Sequence, residues 1–160
     1  MIDDLELLLR RSVEEVFGTM LKKVARPVAV PSSFVNHSLD VASSVGFIGE
    51  LTGVIYVFST SGFAHRLTHQ ILDLPEGEEV SPEMVNDAMG EVANMIVGNL
   101  KASLSDRGIS CVLTIPSIVR GSHFAIETVS SATRRVVCFR CGDQDTLVTE
   151  IMIKPIEGND

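Results

Sequence analysis

The spacing of apolar residues near the start of the chain predicts a helix. Apolar residues recur there at intervals of three and four, which places them on one face of an α-helix. They are Leu5, Leu8, Leu9, Val13, Val16, Phe17, Met20, Leu21 and Val24. We expect this first helix to run from Asp4 to about Val24. It should end before Pro27, because proline disfavours helical backbone in the residue that precedes it.

Two stretches rich in β-branched and aromatic residues predict a β-hairpin. They cover residues 39–48 and 52–59, with a turn at Gly49-Glu50 between them. The second stretch is continuously apolar from Val54 to Phe58, which is typical of a strand that is covered on both faces. A short edge strand is also expected at 28–30, because proline is tolerated at the ends and edges of sheets.

Two further helices are predicted after the hairpin. The second helix should begin next to one of the capping residues at 59–61 and run to about Leu74. The third has a stronger start signal, Ser81-Pro82-Glu83, which combines a capping serine, a proline at the first helical position and an acid near the positive end of the helix dipole. We expect it to run to about Asp106 and to stop at Gly108.

The rest of the chain predicts strands. They span residues 109–115, 118–130, 134–140 and 146–153, with turns at Gly121 and Gly142-Asp143. The order is therefore a helix, a hairpin, two helices and a run of strands. This order predicts one α+β domain over residues 1–160, in which an antiparallel-rich sheet packs in two layers against long helices.

Charge and hydropathy restrict the kinds of partner that the chain can have. Its formal net charge is -8, whereas nucleic acids and anionic membranes are recognised by clustered Lys and Arg. We therefore expect neither nucleic acid nor a membrane as a partner. No apolar stretch reaches the roughly 20 residues that a membrane span needs, and the first residues lack the features of a secretory signal. The expected location is the cytoplasm, with the three cysteines reduced.

The third helix has two unlike faces. The face expected to pack on the sheet comprises Val85, Ala88, Met89, Val92, Ala93, Ile96, Val97, Leu100 and Leu104. The opposite face comprises Asp87, Gly90, Glu91, Asn94, Gly98 and Lys101. Each glycine inside a helix costs roughly 1 kcal/mol relative to alanine, so the two glycines around Glu91 and Asn94 suggest close approach by another surface. The alternative is an ordinary solvated face, on which a glycine only admits a neighbouring helix or strand.

The spacing Asp87-x-x-x-Glu91-x-x-Asn94, followed by Pro116 after the helix, resembles the signature of the CheC/CheX family of chemotaxis phosphatases. The predicted layout is similar to that of the family over nearly the whole chain. The segment Glu15-Val16-Phe17-Gly18 in the first helix is similar to Glu91-Val92-Ala93-Asn94 in the third, but it has Gly18 in place of Asn94. The chain therefore has a single Glu/Asn pair, which makes it more similar to CheX than to CheC-type members.

The resemblance implies that the chain hydrolyses the aspartyl phosphate of a CheY-like response regulator in two-component signalling. Asn94 would orient the attacking water, as an amide does in GTPases, and Glu91 would pair with a lysine of the regulator. Asp87 would act on Glu91 only indirectly, while Gly90 and Gly98 would let the helix enter the regulator's active site. The regulator would supply Mg²⁺, so this chain would bind no cofactor or metal. The resemblance also implies a homodimer.

Other functions have fewer residues in their favour. The first alternative is a non-catalytic interaction module, since flagellar switch proteins are similar in fold to the family without a working Glu/Asn pair. His65, His69 and Asp73 have one-turn spacing on the second helix but lack the glutamate of a HExxH metal motif. Cys138 and Cys141 form a C-x-x-C without the second pair that a zinc site needs. No nucleophile elbow or dinucleotide-binding loop is recognised.

Overall fold

A computed structural model describes residues 2–29, 39–121 and 132–154 of the chain. These residues form three helices on one side of a seven-stranded sheet. The helices are α1 (Ile2–Thr19), α2 (Ser61–Ile71) and α3 (Pro82–Asp106). The strands are β1 (Ala25–Val28), β2 (Val41–Gly49), β3 (Gly53–Ser59), β4 (Cys111–Leu113), β5 (Ser117–Arg120), β6 (Thr133–Cys141) and β7 (Asp145–Ile153). The predicted α+β class is confirmed.

Every strand pairing in the sheet is antiparallel. The order is β1-β6-β7-β3-β2, and both β4 and β5 pair with the free side of β2. The first helix contacts β1 and β6 near one edge, whereas α3 contacts β2, β4 and β5 near the other. The helix with the predicted site therefore lies over the β4/β5 edge of the sheet.

The main core lies between the helices and the sheet. Side chains alternate along each strand, and the inward set packs against α1 and α3. Every apolar residue predicted for the packed face of α3 is buried. A second cluster, on the face of the sheet away from the helices, contains Leu39, Ala42, Phe58, Cys138 and Val148. The predicted covering of β3 on both faces therefore holds at Phe58, whereas Val54 is only half-buried.

The start and end of α3 agree with the sequence prediction. Ser81 Oγ accepts a hydrogen bond from the Met84 N–H at 3.2 Å, which caps the first turn. Gly108 has a φ of 80° just after the helix, a conformation that favours glycine. None of the helices in the described ranges has the length and apolar character of a bilayer-spanning segment.

The predicted ends of the first two helices were wrong. The first helix stops at Thr19, because the chain reverses at Lys22, which has a φ of 50°, and the Lys23 N–H donates to the Phe17 carbonyl at 2.8 Å. Leu21 still reaches the core, but from this turn. The second helix stops at Ile71, because residue 73 has a φ of 52°.

Several strand boundaries also differ from the prediction. The edge strand β1 covers 25–28 instead of 28–30, and Val30 lies outside the described residues. The first strand predicted after α3 is shorter, at 111–113. The second begins one residue earlier, at 117, and extends to 120, while residues 122–131 lie outside the described part of the chain. The last two strands were predicted nearly in full. Gly142, with a φ of 72°, forms the turn between them.

Candidate functional site

The polar residues predicted for the site form a row on the outer face of α3. Asp87 and Glu91 are exposed and Asn94 is half-buried, whereas the opposite face of the helix is buried in the core. A helix rises 1.5 Å per residue, so Glu91 and Asn94 lie about 4.5 Å apart along the axis. The structure therefore brings the three polar residues together on one surface.

The side chains of Glu91 and Asn94 are available to a ligand. Within the described residues, neither side chain takes part in a hydrogen bond or an ion pair, and the same is true of Asp87. The Asn94 amide is not among the buried polar atoms that lack a partner, so it reaches solvent. An uncommitted carboxylate and an uncommitted carboxamide can bind a cation and a water molecule, respectively, one helical turn apart. Among the described residues, Asp87 forms no hydrogen bond that would orient Glu91.

Gly90 lies on the flank of this face and is buried, unlike Glu91 beside it. A Cβ at residue 90 would lie 3.6 Å from the Pro116 Cβ and 4.0 Å from the Ile118 Cδ1. The connection between β4 and β5 therefore packs against the backbone of α3. Gly90 thus admits a neighbouring strand, as the alternative explanation of the helix glycines proposed.

Gly98 has different surroundings. A Cβ at residue 98 would meet no atom of the described chain within 4 Å. The residue is half-buried and lies one turn after Asn94. Gly98 therefore leaves an open step on the helix surface next to Asn94, as close approach by another protein would require.

The connection between β4 and β5 is a β-bulge at the edge of the sheet. Both strands pair with β2, and their registers leave residues 114–116 opposite residues 45–46, so that three residues face two. Thr114 holds the bulge on β2: its N–H donates to the Gly46 carbonyl at 2.9 Å, and its Oγ1 accepts from the Gly46 N–H at 2.8 Å. The extra residue brings Pro116 to the helix side of the sheet, against Gly90.

Arg120 forms a second attachment between this edge and α3. Its Nε and Nη2 donate to Asn86 Oδ1 at 3.0 and 2.7 Å, and Nη2 also donates to the Pro82 carbonyl at 3.0 Å. Sequence reasoning missed Arg120 and Asn86. Their contact joins a strand to a helix that is distant in the sequence, and no local pattern identifies such a pair.

The histidines of α2 do not form a metal site with Asp73. His65 Nδ1 lies 2.7 Å from the Ser61 carbonyl oxygen, which occupies one ring nitrogen. Asp73 lies after the end of the helix, in the left-handed region. Over the described ranges, no group of three or more His, Cys, Asp or Glu side chains could hold a metal ion.

The C-x-x-C cysteines are buried on opposite faces of β6. Cys138 belongs to the outer cluster and Cys141 to the main core, and both are free thiols. Burial raises the pKa of the Cys138 thiol. Burial, reinforced by the nearby Asp145 carboxylate and opposed by Lys23, raises the pKa of the Cys141 thiol to about 12. Neither thiol is prepared for nucleophilic chemistry.

A cavity of about 210 Å³ lies at the opposite edge of the sheet, at β1 and β6. It is lined by Val24, Arg26, Arg140, Gly142 and Asp143. None of the residues predicted for the site contributes to it. The candidate site on α3 therefore lies away from this cavity.

Comparison with protein families identifies the chain. The model of the family described as chemotaxis phosphatase CheX matches residues 41–140, more than half of the 160 residues. The chain belongs to the CheX family of chemotaxis phosphatases. The predicted family and enzyme class, a phosphatase and therefore a hydrolase, are confirmed. The CheX match includes α3 and the bulge. No curated protein sequence matches the chain significantly.

Solved structures agree with a CheX-like fold. CheX from Desulfovibrio desulfuricans is similar, with 24% identity and a TM-score of 0.79 over 94% of this chain and 99% of that one. A CheX–CheY–BeF3–Mg²⁺ complex from Borrelia burgdorferi matches with 21% identity and a TM-score of 0.75 over 92% and 96% of the two chains. FliY from Thermotoga maritima matches with 19% identity and a TM-score of 0.66 over 96% and 88%. At these identities the likeness establishes the fold alone.

Proposed function

We propose that this CheX-family phosphatase hydrolyses the aspartyl phosphate of a CheY-like response regulator through Asn94 and Glu91. The observation that carries the proposal is the pair of uncommitted polar side chains, one turn apart, on the exposed face of α3. The complex of a structurally similar CheX with CheY, BeF3 and Mg²⁺ supports the choice of partner.

Asn94 positions the attacking water. Its amide oxygen accepts a hydrogen bond from the water, which is thereby held in line with the phosphorus atom. The water oxygen bonds to phosphorus as the bond from phosphorus to the aspartate oxygen breaks, which releases inorganic phosphate and the free carboxylate. A loose transition state requires little proton removal from the water, so orientation by a neutral amide is sufficient. The packed inner face of α3 keeps the Asn94 backbone in place.

Glu91 sets the register of docking. Its exposed carboxylate accepts hydrogen bonds from a lysine ammonium of the regulator, in a charge-assisted pair. Because Asn94 lies one turn further along α3, this pair places the amide beside the phosphoryl group. Asp87, one turn before Glu91, adds negative charge that attracts the same cationic region of the regulator.

Mg²⁺ belongs to the regulator in this proposal. It would neutralise charge on the phosphoryl oxygens, as metal ions do in other phosphoryl transfers. The contribution of this chain is to bind the regulator, orient the water and exclude bulk solvent from the docked face. The proposed location of the phosphatase is the cytoplasm, together with the regulator on which it acts.

A homodimer is part of the same proposal. Aliphatic residues are exposed on the strands at both edges of the sheet, Val28 on β1 and Val119 on β5. Apolar surface at sheet edges favours association with another copy. Sedimentation at several concentrations tests this point separately from catalysis.

The experiment that tests the function measures the decay of aspartyl phosphate on the CheY-like regulators of the same cell, with Mg²⁺ and with or without this protein. Faster decay of at least one regulator is the expected result. Unchanged decay of every regulator contradicts the proposal. The matched pair Glu91→Ala and Glu14→Ala assigns the docking role, since Glu14 is also an exposed helical glutamate but lies on α1. Only Glu91→Ala is expected to raise KM.

A further inference from the structure

Ile115, in the bulge between β4 and β5, has a solvent-exposed side chain. The residue is 88% exposed, the largest value among the exposed large apolar residues of the described chain. Most other isoleucines in that part of the chain lie in the core or pack against it. An isoleucine with this exposure has nearly all of its apolar surface available for burial against another molecule, which makes it a candidate contact where it lies beside a functional surface.

The bulge holds Ile115 rigidly in this exposed position. On one side, Thr114 is fixed to β2 by two hydrogen bonds with Gly46. On the other side, Pro116, whose ring restricts φ, packs against Gly90. β-Bulges re-aim side chains and are over-represented beside active sites. Because the backbone on both sides of Ile115 is already ordered, this chain loses little additional conformational entropy when a partner covers the residue.

The position of Ile115 connects it with the row of polar residues on α3. Its neighbour Pro116 touches Gly90, and Gly90 directly precedes Glu91. A stable interface covers roughly 800 Å² on each partner, so a protein that docks on Glu91 and Asn94 has a footprint large enough to include residue 115. The surface combines a carboxylate, a carboxamide and an aliphatic group, so it fits a partner with a lysine, a phosphoryl group and an apolar patch next to each other.

We propose that Ile115 is an apolar anchor for the phosphorylated response regulator, which buries it against an aliphatic or aromatic patch beside the phosphorylated aspartate. This inference rests on the proposed function of the α3 face. An ion pair such as the one expected at Glu91 supplies only part of the affinity of a protein interface. Binding energy in protein interfaces is concentrated in a few desolvated anchors surrounded by polar contacts. Ile115 supplies such an anchor, and Glu91 supplies the register.

Val112 provides a matched control. It is 69% exposed and lies on the same edge of the sheet. It pairs with Ile48, and the alternation along β2 directs both side chains away from the helices. A charge at Val112 therefore tests the general effect of an added carboxylate at this edge without touching the surface beside α3.

The experiment measures affinity for a regulator carrying Mg²⁺ and beryllofluoride, a stable mimic of the aspartyl phosphate. Ile115→Asp places a charge in the buried contact and is expected to weaken affinity by about tenfold or more. Ile115→Ala only removes apolar surface and is expected to weaken affinity less. Val112→Asp should stay within about twofold of the wild type by the same reasoning. Thermal unfolding of each variant verifies that the fold is retained.

The outcomes separate this inference from the proposed function. If the wild type binds the regulator and Ile115→Asp binds equally well, the anchor is wrong and the proposed function stands. If the wild type binds no regulator of the cell, both fail. If Ile115→Asp keeps its affinity but converts a dimer into monomers in sedimentation, Ile115 belongs to a contact between copies, and the anchor is wrong.

Discussion

Arg120 on β5 binds Asn86 on α3 through two hydrogen bonds, at 3.0 and 2.7 Å, and extends a third to the Pro82 carbonyl. One turn further along the helix, Gly90 packs against Pro116. The edge of the sheet is therefore attached to α3 at two consecutive turns, immediately before Glu91. These contacts determine where the row of polar residues lies relative to the bulge.

Replacement of Arg120 by alanine should weaken this attachment. The hydrogen bonds are charge-assisted but exposed, so Arg120→Ala is expected to lower the free energy of unfolding by about 1 kcal/mol. Urea denaturation checks the loss. The control is Arg11→Ala, which removes an exposed arginine of α1 that has no ion pair among the described residues. An equal loss in the control contradicts a specific role for Arg120, as does the absence of coupling in a double-mutant cycle with Asn86→Ala.

Gly98→Ala should change stability and binding in opposite directions. The new methyl group meets no described atom within 4 Å, so better helix propensity is expected to raise stability by about 1 kcal/mol. If the regulator approaches the helix at this step, the same methyl group should raise KM. Thermal unfolding and phosphate release measure the two effects. Unchanged kinetics in a stabilised variant would remove Gly98 from the docking surface.

The helix boundaries show why sequence reasoning succeeded at α3 and failed at α1. The ends of α3 are encoded locally, by the Ser81 cap and by Gly108. The apolar spacing of α1 continues to Val24, but the chain reverses at Lys22, a residue without a turn preference of its own. Leu21 lies in the turn after the helix but is still buried in the core, so it continues the helical spacing of apolar residues. A residue that is buried after a helix ends cannot be distinguished by spacing from one buried within it.

The row on α3 could be predicted because helical periodicity alone places Asp87, Glu91 and Asn94 on one face. The bulge could not be predicted, because it depends on the registers of β4 and β5 against β2, which are set by distant pairings. The exposure of Ile115 depends on that bulge. Sequence reasoning therefore identified the polar part of the surface and missed its apolar neighbour.

Glu150 should make stability depend on pH. Burial raises its pKa above the ordinary value of 4.5, and the ion pair with Arg134 lowers the pKa in part. The folded protein then holds this proton more tightly than the unfolded chain, so stability falls as pH rises from about 4.5 through the raised pKa. Glu150→Gln should abolish this fall and be more stable than the wild type at neutral pH. Urea denaturation across this pH range tests the sign, and a less stable glutamine variant at pH 7 would show that the Arg134 pair outweighs burial.

The cysteines should resist modification in the folded protein. With its pKa raised to about 12 by burial, the Cys141 thiol holds its proton at neutral pH, and Cys138 is buried on the other face of β6. Iodoacetamide at pH 8 should label neither cysteine at an appreciable rate until urea is added. Mass spectrometry of digests identifies the labelled residues. Rapid labelling of native Cys141 would contradict the assigned burial.

The central claim is that Asn94 positions the attacking water, and it is tested most directly by the decay of aspartyl phosphate on a saturating amount of regulator. Asn99→Ala is the matched control, because Asn99 is another half-buried asparagine of α3. We predict that Asn94→Ala lowers kcat by at least about a hundredfold, a loss comparable to removal of a positioning group, and leaves affinity for the beryllofluoride-loaded regulator nearly unchanged. Asn99→Ala should retain wild-type kcat. Wild-type kcat in Asn94→Ala would contradict the account.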